Sequence, residues 1–326
     1  MKMFRRAFAL ALALGVTAPA LAQTSDAKWP SKPIRLIVPF AAGGGTDLVA
    51  RALAEKLGTA LGQTVIVDNK PGASGIIAME AAQKAPPDGY TLVLGSASTV
   101  VVNPAVMPDL PYDPVKDFAP VGMVGFVPLV LAVDPRLGIN TVEELIAYGK
   151  KNPGKLAFGS SGVGSTGHLT GEAFKAASGI DMVHAPYKGD APAVGDVAAG
   201  QVPIAFVGVA SASPLFNAGK IKVLAVASSR RSGSMPNVPT MAEAGYKGIE
   251  FSQWYALFAR AGTPRESIDI MNRSIAKALA REDVRKGMST QGAEPEYSTP
   301  EQLDAFFKAE IKRFADIIHR LNIKMD

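Results

Sequence analysis

The sequence predicts an α/β protein of two domains, each with a parallel sheet covered by helices. The chain has 326 residues, and short apolar runs alternate along it with segments of helical periodicity. This alternation occurs in two separate series. Chains longer than about 250–300 residues usually divide into domains, because one hydrophobic core stops growing at that size. Each series is therefore expected to build its own sheet.

The first series begins at Lys32. It contains the run IRLIVPF, a helix over 46–61, the run VIVD, a helix over 75–85 and the run YTLVLGSAS. Strands that alternate with helices are typical of parallel sheets. Asp88-Gly89 predicts a tight turn before the third strand. Prolines between 104 and 120 then predict an irregular segment that leaves the first domain.

The second series begins with VGMVGFVPLVLAVDP and a helix over 141–151, for which Thr141 is the expected cap. KLAFGS, a helix ending at Ala177, DMVHAPY, a helix over 192–199, VPIAFVGV and IKVLAVAS follow. FSQWYALFARAGTP and helices over 265–280 and 300–321 have no new sheet to cover, so we return them to the first domain. The predicted domains are 23–125 with 251–326, and 126–250.

Residues 1–22 have the pattern of a signal peptide. Lys2, Arg5 and Arg6 precede an apolar run too short to span a bilayer, and Ala20-Leu21-Ala22 is a small-residue cleavage site. We therefore expect an exported, soluble periplasmic protein cleaved near Ala22. Removing this segment lowers the formal net charge of +5 to +2. With few aromatic residues and no basic run, nucleic-acid binding has no support.

The composition also limits which catalytic and metal sites the chain can contain. The chain has no cysteine, which excludes disulfides and thiol catalysis. Its three histidines, His168, His184 and His319, lie in no metal-ligand motif. We expect neither a metal nor a cofactor.

Two segments combine an apolar strand, a glycine-rich turn and a helix opened by a hydroxyl residue: IRLIVPFAAGGGTDLVARALAEKL and KLAFGSSGVGSTGHLTGEAFKAA. A helix start exposes about four amide groups and carries roughly half a positive charge. Such a segment favours a carboxylate or phosphate. Two of them suggest an anion held between two domains.

Enzymatic interpretations of these loops are weaker. The stretch 162–167 matches G-x-G-x-x-G, but Asp181 falls before the next strand rather than at its end, which argues against a dinucleotide site. The loop 43–47 lacks the Lys-Ser/Thr end of a P-loop, and no serine lies in a G-x-S-x-G elbow. Asp47 is expected to cap a helix rather than act as a base. We expect no catalytic residues, with a secreted α/β enzyme as the remaining alternative.

In order, the segments PFAAGGGTDLVAR, NKPGASGIIA, PPDGYTLVLGS, LPYDPVKDFAPV, GSSGVGSTGHL, APYKGDAPAVGDVAAGQV and WYALFARAGTP resemble the solute receptors of tripartite tricarboxylate transporters, the Bug-type extracytoplasmic binding proteins. The resemblance covers nearly the whole mature chain. It implies a type II periplasmic binding protein fold, in which two α/β domains joined by two crossover segments close on a ligand. It also implies a non-enzymatic receptor, expected as a monomer, that delivers a small carboxylate to membrane transporter subunits.

The resemblance also implies the site, where a carboxylate is held between the two glycine loops. On the first domain it points to Phe40, Ala42, Gly43, Gly44, Thr46 and Asp47, and on the second to Gly162, Gly164, Ser165 and His168. Strand ends that read the rest of the ligand are Ser96, Ser98, Tyr187 and Gly208. Many relatives have an acidic residue at Gly208, so its absence lowers the expectation of an amino acid and favours a plain carboxylate. Presentation of that ligand to a membrane sensor kinase is the alternative output.

Overall fold

The structure, a computed structural model, describes residues 29–43, 45–107, 109–290 and 292–321. The predicted signal peptide with its cleavage site, and Gly44 of the first glycine loop, lie outside the described residues.

The first series folds as predicted, with small differences in element ends. Its elements are β1 (Ile34–Val38), α1 (Gly45–Leu61), β2 (Val65–Asn69), α2 (Ile76–Gln83), β3 (Thr91–Ser96) and α3 (Asn103–Val106). A π-helical turn over Ser98–Val102 joins β3 to α3.

The second series and the C-terminal part complete the chain. Their elements are β4 (Phe118–Val133), α4 (Val142–Lys151), β5 (Leu156–Ser160), α5 (Thr166–Ser178), β6 (Met182–Pro186), α6 (Asp190–Ala199), β7 (Ile204–Gly208), α7 (Val209–Asn217), β8 (Lys222–Val226), β9 (Ser252–Arg260), α8 (Arg265–Ala280), α9 (Glu282–Thr290), β10 (Glu294–Pro295) and α10 (Pro300–Leu321). Within the described chain, no helix is both long and apolar enough to cross a membrane.

The described strands pair in the order β2-β1-β3-β9-β4-β7-β5-β6, and β8 and β10 also pair with β4. The strands β1, β2 and β3 are parallel to one another, as are β5, β6 and β7. The predicted two-domain α/β fold is confirmed.

The long strand β4 belongs to both domains. Phe118–Pro128 pairs antiparallel with β9, and Leu129–Val133 pairs with β7 and β8. The chain therefore enters the second domain along β4 and returns at the start of β9. The exact domain limits that the sequence suggested stay a prediction.

Local sequence signals account for the individual elements. Thr141 caps α4, because its side chain accepts a hydrogen bond from the amide of Glu144, as predicted. The apolar run VPIAFVGV differs from the prediction, because its last residue, Val209, starts α7. The helix α9 was missed, since its charged sequence buries only Val284 and Met288.

Aromatic side chains anchor α10 to the strands that the two domains share. Phe306 packs edge-on against Phe126 of β4 and Trp254 of β9, at centroid distances of 5.9 and 5.4 Å. Phe307 packs in the same way on Phe258 of β9 at 5.6 Å. The same apolar core continues into the second domain through residues such as Phe158. The C-terminal helix therefore stabilises the connection between the domains.

A glycine of α5 sets the distance between this helix and β5. A Cβ added at Gly171 would overlap the ring of Phe158. We expect Gly171→Ala to lower the free energy of unfolding by about 2 kcal/mol, because overpacking a rigid ring forces strain. Gly287→Ala in α9 is the matched control, since its Cβ would meet nothing within 4 Å. It should stabilise by about 0.5–1 kcal/mol. Urea denaturation of both variants measures the difference, and equal stabilities would contradict the packing argument.

Candidate functional site

The parallel strands of both domains end at one cleft. The register places Ser96, the last residue of β3, opposite Tyr255 of β9, and Gln253 opposite Val127 of β4. Gly208, the last residue of β7, lies opposite Leu129. The start of β9 and the middle of β4 thus form the floor. Crevices outside the carboxyl ends of strands are where open α/β sheets bind ligands.

In the first domain, Asp47 holds the glycine loop together. The carboxylate, 2% exposed, accepts from the Gly43 amide at 2.9 Å, from Arg51 Nε at 2.9 Å and from Asn69 Nδ2 at 2.9 Å. Asn69 also donates to the carbonyl of Phe40 at 3.0 Å. Burial raises the pKa of Asp47, but these hydrogen bonds outweigh it and hold the pKa below its ordinary value. Asp47 is thus ionised and holds the first glycine loop in place. In these contacts it acts as a structural residue.

In the second domain, Ser160 at the end of β5 organises the other glycine loop. Its hydroxyl accepts from the Gly162 amide at 3.2 Å and from Ser165 Oγ at 3.3 Å, and lies 2.7 Å from His184 Nε2. Ser165 in turn is the N-cap of α5, because its Oγ accepts from the amide of His168 at 3.1 Å. The loop conformation is therefore set by side chains of the loop and of β5 and β6.

Two histidines stack beneath this loop. The rings of His168 and His184 lie 3.9 Å apart at 16°, and Phe158 stacks on His184 at 4.9 Å. Burial lowers the pKa of His168 to about 4, and burial together with the neighbouring His168 does the same for His184. Nδ1 of His168 accepts from the Gly164 amide at 3.3 Å. Both imidazoles are thus neutral at physiological pH.

A chain of hydrogen bonds crosses the floor from one domain to the other. Thr46 Oγ1, at the start of α1, donates to Tyr255 at 2.9 Å, and Tyr255 donates to Gln253 Oε1 at 3.1 Å. Gln253 Nε2 donates to Asp190 Oδ2, at the start of α6, at 3.4 Å, and the Gly208 amide donates to the same oxygen at 3.0 Å. Burial, reinforced by Asp190, raises the pKa of Tyr255. The phenol therefore stays protonated and continues the chain.

The remaining candidates lie at strand ends and in the first glycine loop. Ser96 is buried and bonds through its amide to Thr99 Oγ1 at 3.0 Å, while Ser98 is half-buried in the π-helical turn. Tyr187 donates its hydroxyl to Asp196 Oδ2 at 2.8 Å. Burial, followed by this contact, raises the pKa of Tyr187 to about 12. Its phenol is therefore held by α6, whereas Ala42 is exposed at the loop tip.

One expectation about the two loops needs correction. The amides of Gly43, Gly162 and Gly164 were expected to face an anion, but each donates within the protein. Other amides without an intrahelical acceptor lie in the first turns of α1 and α5, although that of His168 is already bonded to Ser165 Oγ. Thr166 supports this shift, because its Oγ1 is buried and has no partner within the described chain.

The sequence does not predict several residues of the site, among them Asn69, Asp190, Gln253 and Tyr255. Asn69 ends β2, so its place at a strand's carboxyl end was a usable signal. Asp190 begins α6 directly after the YKG turn, and this position was a second usable signal. Gln253 and Tyr255 offered none, because only the register of β9 against β3 and β4 brings them to the cleft.

Two α/β domains with facing strand ends, joined by two crossover segments, are the architecture of the periplasmic binding protein fold. The solved structure of the periplasmic binding protein BugD is 35% identical to this chain with a TM-score of 0.83, covering 91% of this chain and 99% of BugD. The chain belongs to the TctC family, described as the tripartite tricarboxylate transporter family receptor, whose profile matches residues 49–323.

Individual relatives align with this chain over most of their length. The protein BugT of Bordetella pertussis is 40% identical over 312 residues, which cover 95% of this chain and 94% of BugT. A protein of R. palustris solved with adipate is 36% identical with a TM-score of 0.86, covering 91% of this chain and 99% of that one. MatC of Rhodopseudomonas palustris, solved with bound malate, is 31% identical with a TM-score of 0.81, covering 89% and 99%.

The histidine stack predicts a pH-dependent stability. Each folded-state pKa of about 4 lies below the ordinary value of 6.5, so the unfolded chain binds more protons between these values. Stability should be constant above about pH 7 and fall toward pH 4, by about 3 kcal/mol for one such imidazole. His184→Gln, which keeps a partner for Ser160, should reduce this fall. Denaturant midpoints measured across pH 4–8 check it.

His319→Gln is the matched control, since it removes an imidazole from an exposed position of α10. The two variants should differ in the slope of stability against pH. If His184→Gln and His319→Gln give the same slope as the wild-type protein, the stacked pair does not control acid stability.

Proposed function

We propose that this protein is an extracytoplasmic receptor that captures a small organic carboxylate between its two domains and delivers it to the membrane subunits of a tripartite tricarboxylate-type transporter. Membership of the TctC family supports this role. Adipate and malate in the two related structures support a carboxylate as the ligand class. Export to the periplasm, which the N-terminal sequence predicts, is part of the proposal.

One observation carries the proposal: two helices begin at the cleft from opposite domains. The helix α1 follows β1 in the first domain, and α5 follows β5 in the second. Each helix start concentrates partial positive charge and unpaired amides. A carboxylate between them contacts both domains, with Thr46 on one side and Thr166 on the other. It needs no lysine or arginine to bind there.

The floor of the cleft favours closure on such a ligand. Thr46, Tyr255 and Gln253 belong to the first domain, whereas Asp190 belongs to the second. The hydrogen bond from Gln253 to Asp190 therefore depends on the domains being together. A ligand that contacts both walls stabilises this closed arrangement, because only there are both helix starts engaged.

Binding is tested by calorimetry and thermal shift with mono-, di- and tricarboxylates, using uncharged amides of the same acids as controls. A ligand that binds only the folded state raises its stability, by about 2.7 kcal/mol at a concentration 100 times its dissociation constant. At least one carboxylate should bind, and its amide should not. Failure of every carboxylate would contradict the proposal.

A substitution at Asp47, which holds the first glycine loop in place, tests whether this loop belongs to the binding site. Asp47→Asn keeps a side chain of the same size but weakens the tie to Arg51 and the Gly43 amide, so the start of α1 should be held less firmly. We expect carboxylate affinity to fall about tenfold, or roughly 1.4 kcal/mol.

Asp304→Asn is the control, since it removes an equal charge from an exposed pair with Lys308 on α10. Its affinity for carboxylates should match that of the wild-type protein. An Asp47→Asn protein that folds and binds like this control would exclude the first loop from the site.

A further inference from the structure

We propose that Asp190 determines specificity by accepting a hydrogen bond from the ligand, so that the preferred carboxylate carries a hydroxyl or ammonium group. This inference rests on the proposed function and concerns the end of the ligand away from the two helix starts.

The two oxygens of Asp190 are in different situations. Oδ2 accepts from the Gly208 amide and, at 3.4 Å, from Gln253. Oδ1 is buried and makes no hydrogen bond of acceptable geometry with any described residue. A buried acceptor without a partner is costly, and more so when it is charged. Oδ2 is thus held in place by the protein, whereas Oδ1 has the Ser161 side chain nearby but no hydrogen bond of normal geometry with it, and can accept one from a ligand.

No cation within the described chain forms an ion pair with this carboxyl group. Lys188, two residues earlier, is exposed. Burial raises the pKa of Asp190, while the Gly208 amide, Ser161 and Gln253 act in the opposite direction. A ligand that brings a proton donor relieves the burial of this charge, whereas a second ligand carboxylate at the same place repels it.

Gly208 explains why the carboxyl group fits here. A Cβ at Gly208 would lie 3.1 Å from Asp190 Oδ2 and 3.2 Å from Val127 Cγ1, so any side chain at this position would crowd Asp190. From the sequence, the absence of an acidic residue at Gly208 predicts a plain carboxylate ligand. The structure removes the reason for that expectation, because Asp190 supplies a carboxyl group at the same place from α6.

The test uses ligands that differ only in the donor. Succinate, malate and aspartate share four carbons and carry hydrogen, hydroxyl or ammonium at C2. Glutarate, 2-hydroxyglutarate and glutamate repeat the series with five carbons, so that two spacings from the first carboxylate are sampled. Calorimetry on the wild-type protein should show that a member with a donor binds at least about tenfold more tightly than its unsubstituted parent, since the parent leaves Oδ1 unpaired.

Asp190→Asn identifies the residue responsible. Its amide oxygen still accepts from Gly208, but an NH₂ group replaces Oδ1, so a donor on the ligand is no longer favoured. The preference within each series should fall to about twofold or less. Asp181→Asn, an exposed position just before β6, removes the same charge elsewhere and should keep the wild-type preference. If Asp190→Asn does not fold, Asp190→Ser is measured in its place.

The outcomes separate the two proposals. Equal binding of the parent acids and their substituted forms by the wild-type protein overturns the role of Asp190 while leaving carboxylate capture intact. An Asp190→Asn protein that keeps the wild-type preference overturns it as well. If no carboxylate of either series, nor adipate, binds the wild-type protein, the proposed function fails and the inference fails with it.

Discussion

The antiparallel pairing of β4 with β9 is the constraint on which the rest of the structure depends. The same 16-residue strand that pairs with β9 continues into the second domain, where it pairs with β7 and β8. Backbone hydrogen bonds therefore connect the two cores, and α10 packs its aromatic side chains across this pair. Because the register is set by paired backbone groups, the ends of β3 and β7 are held on either side of one floor.

Around this floor, the glycine-loop amides are hydrogen-bonded to acceptors within the protein itself. The amides that glycine makes accessible at Gly43, Gly162 and Gly164 are bonded to Asp47, Ser160 and His168. Such internal bonds fix the loop conformation, and they leave the helix starts behind each loop as the anion-attracting groups. Rigid loops of this kind reduce the conformational entropy that is lost when a ligand binds.

The site combines two kinds of electrostatics. At the second glycine loop, the start of α5 and the stacked imidazoles carry no full charge, whereas in the first loop the charge of Asp47 is paired with Arg51. A carboxyl group, Asp190, lies at the floor, where it interacts with a polar chain rather than with a cation. In the proposed function, the helix starts bind the carboxylate and Asp190 contacts the other end of the ligand.

The sequence by itself determined the alternation of strands and helices, the two glycine segments and the family resemblance, because these depend on local periodicity and short motifs. It also located Thr46, Asp47, Ser165 and His168 at helix starts, although their contact with a ligand stays a prediction. Tertiary structure alone decided which amides are already bonded and which side chains meet at the floor. Thr46 and Tyr255 are 209 positions apart, and a contact over such a distance depends on strand register, which no local pattern encodes.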